Sequence, residues 1–469
     1  MQMNKPAFLL FMALSLFTLC FSCSQPGSKV LFDGKNSDLW NITGQAAVKD
    51  RILVLAGTNT KAVLKKGDYT NFKLTLELLT TPGGKGRLWF HTDPMLAKGY
   101  AIAINNDLQD TEWWTKSGSL LSVRNLTKSF AKENQWFTLT VQVEGKAVTV
   151  NINDVPVIEY IEPARPYRTE THAQTLLSSG LFALENSGSG EIQCRSIKVE
   201  ALPKKTAPDI IARQESEALD ETKDPIIRLH QENFPVLDFH VHLKGGLTKE
   251  QAAKQSRRLG INYAIAPNCG IGFPITNDEQ IYAYLDSMRS QPFILAMQAE
   301  GREWITTFSP EARAQFDYVF TDALTFTDSK GRRTRLWIPE ETWIEDEQAY
   351  MDLIVDKICE VLKEPVDIYV NPCFLPSPMD QRYDEFWTET RMNKFVDALV
   401  KSGKALEINE KYRIPNKAIL LKAKAAGVKF TFGSNNTTPD VSDLSYSIQM
   451  IKECGLTAQD IYRPKVKLN

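Results

Sequence analysis

Two hydrophobic periodicities divide the chain. From Lys29 to Leu202 apolar residues recur at every second position. "NFKLTLELLT" places Phe72, Leu74, Leu76 and Leu78 on one face, and "WFTLTVQVEGKAVTVNINDVPVIEY" holds two further runs around Glu144-Gly145-Lys146 and a turn at Asn153-Asp154. Period two belongs to strands with one buried face. Short strands between Gly, Asn and Asp turns predict an all-β antiparallel sandwich or jelly roll without helices. From residue 234 onward the pattern changes to short apolar runs, "VLDFHVHL", "INYAIAP", "FILAMQAE", "YVFTDALTF", "DIYVNP", "ALEIN" and "KFTFGS", most followed by helix-like stretches such as "TKEQAAKQSRRLG" and "NKAILLKAKAAG". Seven strands in β/α order predict a parallel α/β barrel of the TIM type over residues 234–469. Between the two, residues 203–233 carry Pro203, Pro208 and the charged "ARQESEALDETKD", which has little apolar face. They read as a linker or inter-domain strap, with His230 exposed or capping at its end.

Length agrees with two domains: 469 residues, 43% hydrophobic and 24% charged, exceed one ordinary core. A formal net charge of −2 offers no field for nucleic acid or an anionic membrane surface. The opening residues read as an address. Lys5 precedes the apolar "AFLLFMALSLFTL", too short to span a bilayer, and "CFSCSQPGS" follows. Residues 1–22 thus read as an export signal. Its end resembles a bacterial lipobox, with Ser22 before the cut and Cys23 as the lipidated residue, which implies a lipid-anchored cell-envelope protein. The five later cysteines form no Cys-x-x-Cys pair, leaving room for at most one or two bridges.

Candidate chemistry gathers where barrel sites are built, at the C-terminal ends of strands. There stand His240 and His242, Asn268, Glu300, Asp322, Asn371, Glu407, Asn435 and Asn436. His240 and His242, two apart on a strand, project from one face. Trp304, beside Glu300, and the amides are candidates for stacking on a sugar ring and for hydrogen bonding its hydroxyls. "DSKGRRTRLWIPEETW" reads as a mobile loop near the pocket mouth and "NPCFLPSPMDQRYDEFW" as a long active-side loop, in which Cys373 has no histidine partner. In the sandwich Trp89, Trp113 and Trp114 are the sugar-stacking candidates.

Two resemblances sharpen these expectations. "VLFDGKNSDLW", "GYAIAINND", "KSGSLLSV", "NQWFTLTVQVEGKAVTVNINDVPVIEY" and "GLFALENSGSGEIQCRSIKVEAL" follow in order the segments of the 3-keto-disaccharide hydrolase domain, a concanavalin-like jelly roll, over residues 29–202. The resemblance implies sugars oxidised at carbon 3, where the ketone acidifies the neighbouring C–H. It also exposes departures: Ala101 follows Gly99-Tyr100 where the family has Glu, and Glu185-Asn186-Ser187-Gly188 replaces Gln-Asp-His-Gly. His91 and Glu185 are the titratable residues left to substitute as base.

The second half resembles the polymerase-and-histidinol-phosphatase (PHP) branch of metal-dependent hydrolases, a distorted (β/α)7 barrel, through Asp238-Phe239-His240-Val241-His242, Glu300 and Ala405-Leu406-Glu407-Ile408-Asn409. Asn268, Asn371-Pro372 and Gly433-Ser434-Asn435-Asn436-Thr437 stand where that branch has its other ligands. The resemblance therefore implies one divalent ion, zinc, manganese or iron, held by His240, His242 and Glu300, with Glu407 as a further candidate. The leading expectation is a metal-assisted carbohydrate hydrolase with the jelly roll holding the sugar. Its alternatives are a sugar-binding envelope protein with a decayed barrel site, and 3-keto-glycoside cleavage within the jelly roll.

Overall fold

The computed structural model describes residues 27–35 and 37–467. The export signal and Cys23 lie outside them. Eleven strands build the first domain: β1 (Ser28–Phe32), β2 (Trp40–Lys49), β3 (Ile52–Leu64), β4 (Phe72–Thr80), β5 (Lys85–Thr92), β6 (Tyr100–Asn105), β7 (Phe137–Glu144), β8 (Ala147–Ile152), β9 (Val155–Ile161), β10 (Leu181–Asn186) and β11 (Glu191–Ala201). They pair antiparallel in the order β6-β5-β10-β3-β11-β4-β7-β8-β9, with β1 added to β11 and β2 to β3. Long β3 pairs with β11 near Leu53–Ala56 and with β10 near Thr60–Val63, so one sheet changes neighbours along its length and folds over a common core. Phe72, Leu74, Leu76 and Leu78 all face that core. Asn153 and Asp154 both adopt positive φ, 49° and 65°, as a two-residue hairpin turn requires. Among the described residues of this domain, helical structure is limited to two short 3-10 turns, Ser37–Leu39 and Glu170–His172.

The segment expected as a linker or inter-domain strap is folded and anchored. It forms α1 (Pro208–Glu217) and α2 (Pro225–Gln231), and α2 buries Ile226, Ile227 and Leu229. Between the helices Glu221 enters the sandwich, pairing with Arg168 Nη1 at 2.8 Å and accepting from Tyr160 Oη at 2.8 Å.

The barrel contains β12 (Leu237–Val241), β13 (Asn262–Ile265), β14 (Asn268–Cys269), β15 (Ile294–Ala299), β16 (Tyr318–Thr321), the hairpin β17 (Thr325–Thr327) and β18 (Arg333–Arg335), β19 (Ile368–Tyr369), β20 (Ala405–Asn409) and β21 (Phe430–Gly433). Seven parallel strands follow chain order, β12-β13-β15-β16-β19-β20-β21, and correspond to the seven apolar runs. A seam closes the ring: the Asn435 N–H donates to His240 O (2.9 Å), and the Ser434 N–H to Asp238 Oδ1 (3.1 Å). Gly433 is essential to it, because a Cβ there would collide with His240 Cβ and lie 2.8 Å from Glu407 Oε1. The basic "DSKGRRTRLW" segment, expected as a mobile loop, is the β17–β18 hairpin with Thr334 and Leu336 buried.

The sandwich docks on the barrel's N-terminal end. Asn262, opening β13, donates to Asn125 O (2.8 Å) and accepts from the Thr127 N–H (3.2 Å). Lys128 Nζ donates to Phe293 O (2.7 Å), just before β15. Trp113 and Trp114 pack into the barrel's own hydrophobic cluster. Cys194, Cys269, Cys359, Cys373 and Cys454 are unbridged. Among the described residues no helix is long and apolar enough to cross a membrane.

Candidate functional site

At the C-terminal end of the barrel, the expected ring assembles into a buried polar network. His240 Nδ1 meets Glu407 Oε1 at 2.6 Å and Nε2 meets Gln298 Oε1 at 3.2 Å. The Glu407 carboxylate accepts from Nδ1–H and so favours the protonated ring. Burial opposes that charge, but the Glu407 carboxylate outweighs burial and raises the His240 pKa. His242 is the opposite case. Burial, then the charge of His240, hold it well below the ordinary histidine range. Its Nδ1 meets Ala266 O at 2.7 Å and so carries the proton, leaving a lone pair on Nε2. Glu300 accepts from Asn268 Nδ2 (2.5 Å); burial, then the Asp322 carboxyl, push its pKa up.

The amides expected to bind substrate bond largely to one another and to their neighbours. Asn371 donates to Asp322 Oδ2 (2.8 Å) and accepts from Asn409 (3.0 Å) and Asn435 (2.8 Å). Asn436 accepts from the His242 N–H (2.7 Å) and donates to His242 O (2.9 Å). Glu407 is fully buried, and its second oxygen accepts from the Asn371 N–H (2.7 Å) and Asn409 Nδ2 (2.9 Å). That leaves it no face for a substrate.

The donor set does not fit the expected ion. Both Nδ1 atoms are fixed as second partners of ligating imidazoles usually are. Yet an amide oxygen sits on His240 Nε2, and Asn268 holds Glu300. Among the described residues no three His, Cys, Asp or Glu side chains are grouped so as to hold a metal. Trp304 is also corrected. Its ring is 0% exposed, with Nε1 donating to Glu364 Oε2 (2.8 Å), so no face is open to a sugar.

The second site lies on the sandwich. Alternate residues of β5, β6 and β10 share a face: Trp89 lies opposite Ala101 and Ala183, and Arg87 opposite Ala103 and Glu185. Above this face is a cavity of about 320 Å³, whose walls include Lys85, Trp89, Asn105 and Glu112. Lys85 Nζ lies 2.8 Å from both Asp110 and Glu112. Burial would raise the Glu112 pKa, but Lys85 and then Asn233 more than offset it and lower it. Ala101 and Ser187, where the resemblance expects an acid and an imidazole, both line this cavity.

The substitutes expected for those groups do other work. Glu185 accepts from Trp89 Nε1 (3.0 Å) and lies 3.6 Å from Lys61 Nζ, so it clamps the indole. His91 is 1% exposed; Nε2 bonds Thr70 O (2.8 Å), and Nδ1 accepts from the Ser178 N–H (3.1 Å). Burial pushes its pKa down to about 4, and neither nitrogen is open to a substrate. Trp113, buried against the barrel, also has no free face, which leaves Trp89 as the partly open tryptophan of the three. Sequence reasoning missed Gln298, although it lies two residues before Glu300 on the same strand face. It also missed Lys85, Asp110, Glu112 and Asn233, which come from separate segments with no local signal.

Residues 27–200 match the family model of the 3-keto-alpha-glucoside-1,2-lyase-like domain. Two glycosyl-hydrolase-like proteins of known structure from Parabacteroides distasonis are similar to this chain. One is 19% identical, covering 38% of this chain and 94% of its own, with a TM-score of 0.34. The other is 21% identical, covering 38% and 100%, with a TM-score of 0.32. The carbohydrate-binding module CBM66 from Bacillus subtilis is 14% identical, covering 35% and 96%, with a TM-score of 0.27. No curated protein matches the chain.

Proposed function

We propose that this is a carbohydrate-binding protein of the cell envelope, lipid-anchored through Cys23, whose sandwich cavity takes a pyranoside related to a 3-keto-α-glucoside. The observation that carries the reading is the cavity itself, built on the segment that matches the 3-keto-glucoside lyase-like family and lined at that family's reactive positions. Trp89, clamped by Glu185, offers an aromatic face to the C–H side of a ring. Lys85 and Glu112 offer a donor and acceptors for hydroxyls or a ketone oxygen. Elimination next to a ketone needs a base. Ala101 and Ser187 supply none, and Glu112 is held by Lys85 and Asn233, so the His172 imidazole is the titratable group left on the wall and the cavity is read as one that binds the sugar.

Calorimetric titration of the full chain tests this, with methyl 3-keto-α-D-glucopyranoside and methyl α-D-glucopyranoside as probes. Saturable binding that Trp89→Ala weakens is expected. Absence of binding by both sugars, or turnover that Glu112→Gln abolishes, overturns it. A second reading, hydrolysis of a sugar ester at the barrel mouth, is favoured by the Nε2 lone pair of His242, which has no partner among the described residues. Ester cleavage lost in His242→Ala with the fold intact would establish it, and equal rates in both proteins would discard it.

A further inference from the structure

The family-matched segment ends at residue 200, yet three residues beyond it line the sandwich cavity: His230, Gln231 and Asn233. Each holds a different wall. Gln231 accepts from the Thr169 N–H (2.6 Å) and donates to Tyr167 O (2.6 Å), fixing the start of the loop that carries His172 and Thr175. Asn233 accepts from Trp114 Nε1 (2.9 Å) and donates to Glu112 Oε1 (2.8 Å), fixing the carboxylate that in turn holds Lys85. His230 Nδ1 accepts from the Asn125 N–H (3.3 Å), while Nε2 bonds Gly260 O (2.8 Å) on the barrel side. Asn233 also sits at φ 53°, a left-handed conformation that asparagine tolerates better than most residues.

We propose that the sugar site is composite: α2 and the residues after it position its walls, so ligand binding and the docking of sandwich on barrel form one coupled equilibrium. The inference rests on the sugar-binding reading above. Its physical basis is linkage. A ligand that binds only when all walls are in place stabilises every contact that holds them. Gln231 and Asn233 are positioning residues; Trp89 and Lys85 are the groups offered to the ring. The coupling runs toward the N-terminal end of the barrel, where Gly260 O is bonded by His230 of α2 and Asn262 takes the sandwich's hydrogen bonds. It does not run to the His240–Glu407 network, which lies at the other end of the strands, on the order of 15 Å away for five residues of strand.

The full-length protein tests this with methyl 3-keto-α-D-glucopyranoside as probe, read by calorimetry and by amide hydrogen exchange. Asn233→Asp keeps the backbone preference and the acceptor for Trp114 but sets a carboxylate against Glu112. Gln231→Glu keeps the acceptor for Thr169 and loses the donor to Tyr167. Each is expected to weaken binding by about tenfold or more while the circular dichroism spectrum is unchanged. In the wild type the sugar is expected to slow exchange at residues 225–235 and 260–263 as well as in the sandwich. Both variants binding within about twofold of wild type, with protection confined to the sandwich and Trp89→Ala still impaired, overturns the composite site and leaves the sugar reading standing. No binding by the wild type overturns both.

Discussion

The His230 bridge predicts that the docking of the two domains weakens in acid. Its imidazole is 1% exposed and accepts a backbone N–H from the sandwich while bonding a carbonyl of the barrel. Burial, and then the Arg124 charge, push its pKa from the ordinary 6.5 down to about 3. The folded state therefore stays neutral where the unfolded chain already binds a proton, and stability must fall as pH falls through 6.5, continuing down to about 3. Integrating that difference between about pH 7.5 and about pH 4.5 gives a loss of about 2–3 kcal/mol from this one group. The assay is urea unfolding followed by tryptophan fluorescence, since Trp113 and Trp114 lie in the interface. His230→Gln is the reference: its amide replaces a titrating bridge with a non-titrating one, and other groups cancel in the difference. Wild-type stability relative to His230→Gln is expected to decline by about 1.4 kcal/mol per pH unit below pH 6. A difference that stays flat from pH 7.5 to 4.5, to within about 0.5 kcal/mol, would refute the reasoning.

Other perturbations follow from single contacts. Glu221→Ala removes the nearer of two carboxylates from the Arg168 guanidinium, leaving Glu162 at 4.0 Å, and should cost about 1–3 kcal/mol in chemical denaturation, beginning with loss of the strap. Gly433→Ala forces a methyl against His240 and Glu407 at the barrel seam and should cost about 1–3 kcal/mol by the same measurement, with the sandwich's sugar affinity unchanged. Cys23→Ser should move the protein from the membrane fraction to the soluble fraction of the envelope, and mass spectrometry should detect diacylglycerol on the wild-type cysteine alone.

The architecture was legible because period is a local property. Phe72, Leu74, Leu76 and Leu78 announce a half-buried strand, and the seven apolar runs announce a parallel barrel with polar residues at its C-terminal end. Roles were less legible because burial and partners are long-range. Nothing near His91 in sequence shows that Ser178 and Thr70 fill both its nitrogens. An indole written in the sequence looks the same whether it packs a core, as Trp304 and Trp113 do, or flanks a cavity, as Trp89 does. That the strap is anchored was not legible, because its apolar residues, Ile226, Ile227 and Leu229, are too few to set up a periodicity. The partners of His240 were hidden on the same ground: residue types at matching positions do not say that the Gln298 amide will stand beside its ring nitrogen.

Asn233 also sets a limit on how this protein can be taken apart or recombined. The family match ends at residue 200, but a hydrogen bond that fixes the cavity's carboxylate comes from residue 233. Cutting at that boundary would excise the floor of the site and discard the pins of three walls. The stretch of chain that carries this cavity's walls therefore runs at least to residue 233, beyond the family match.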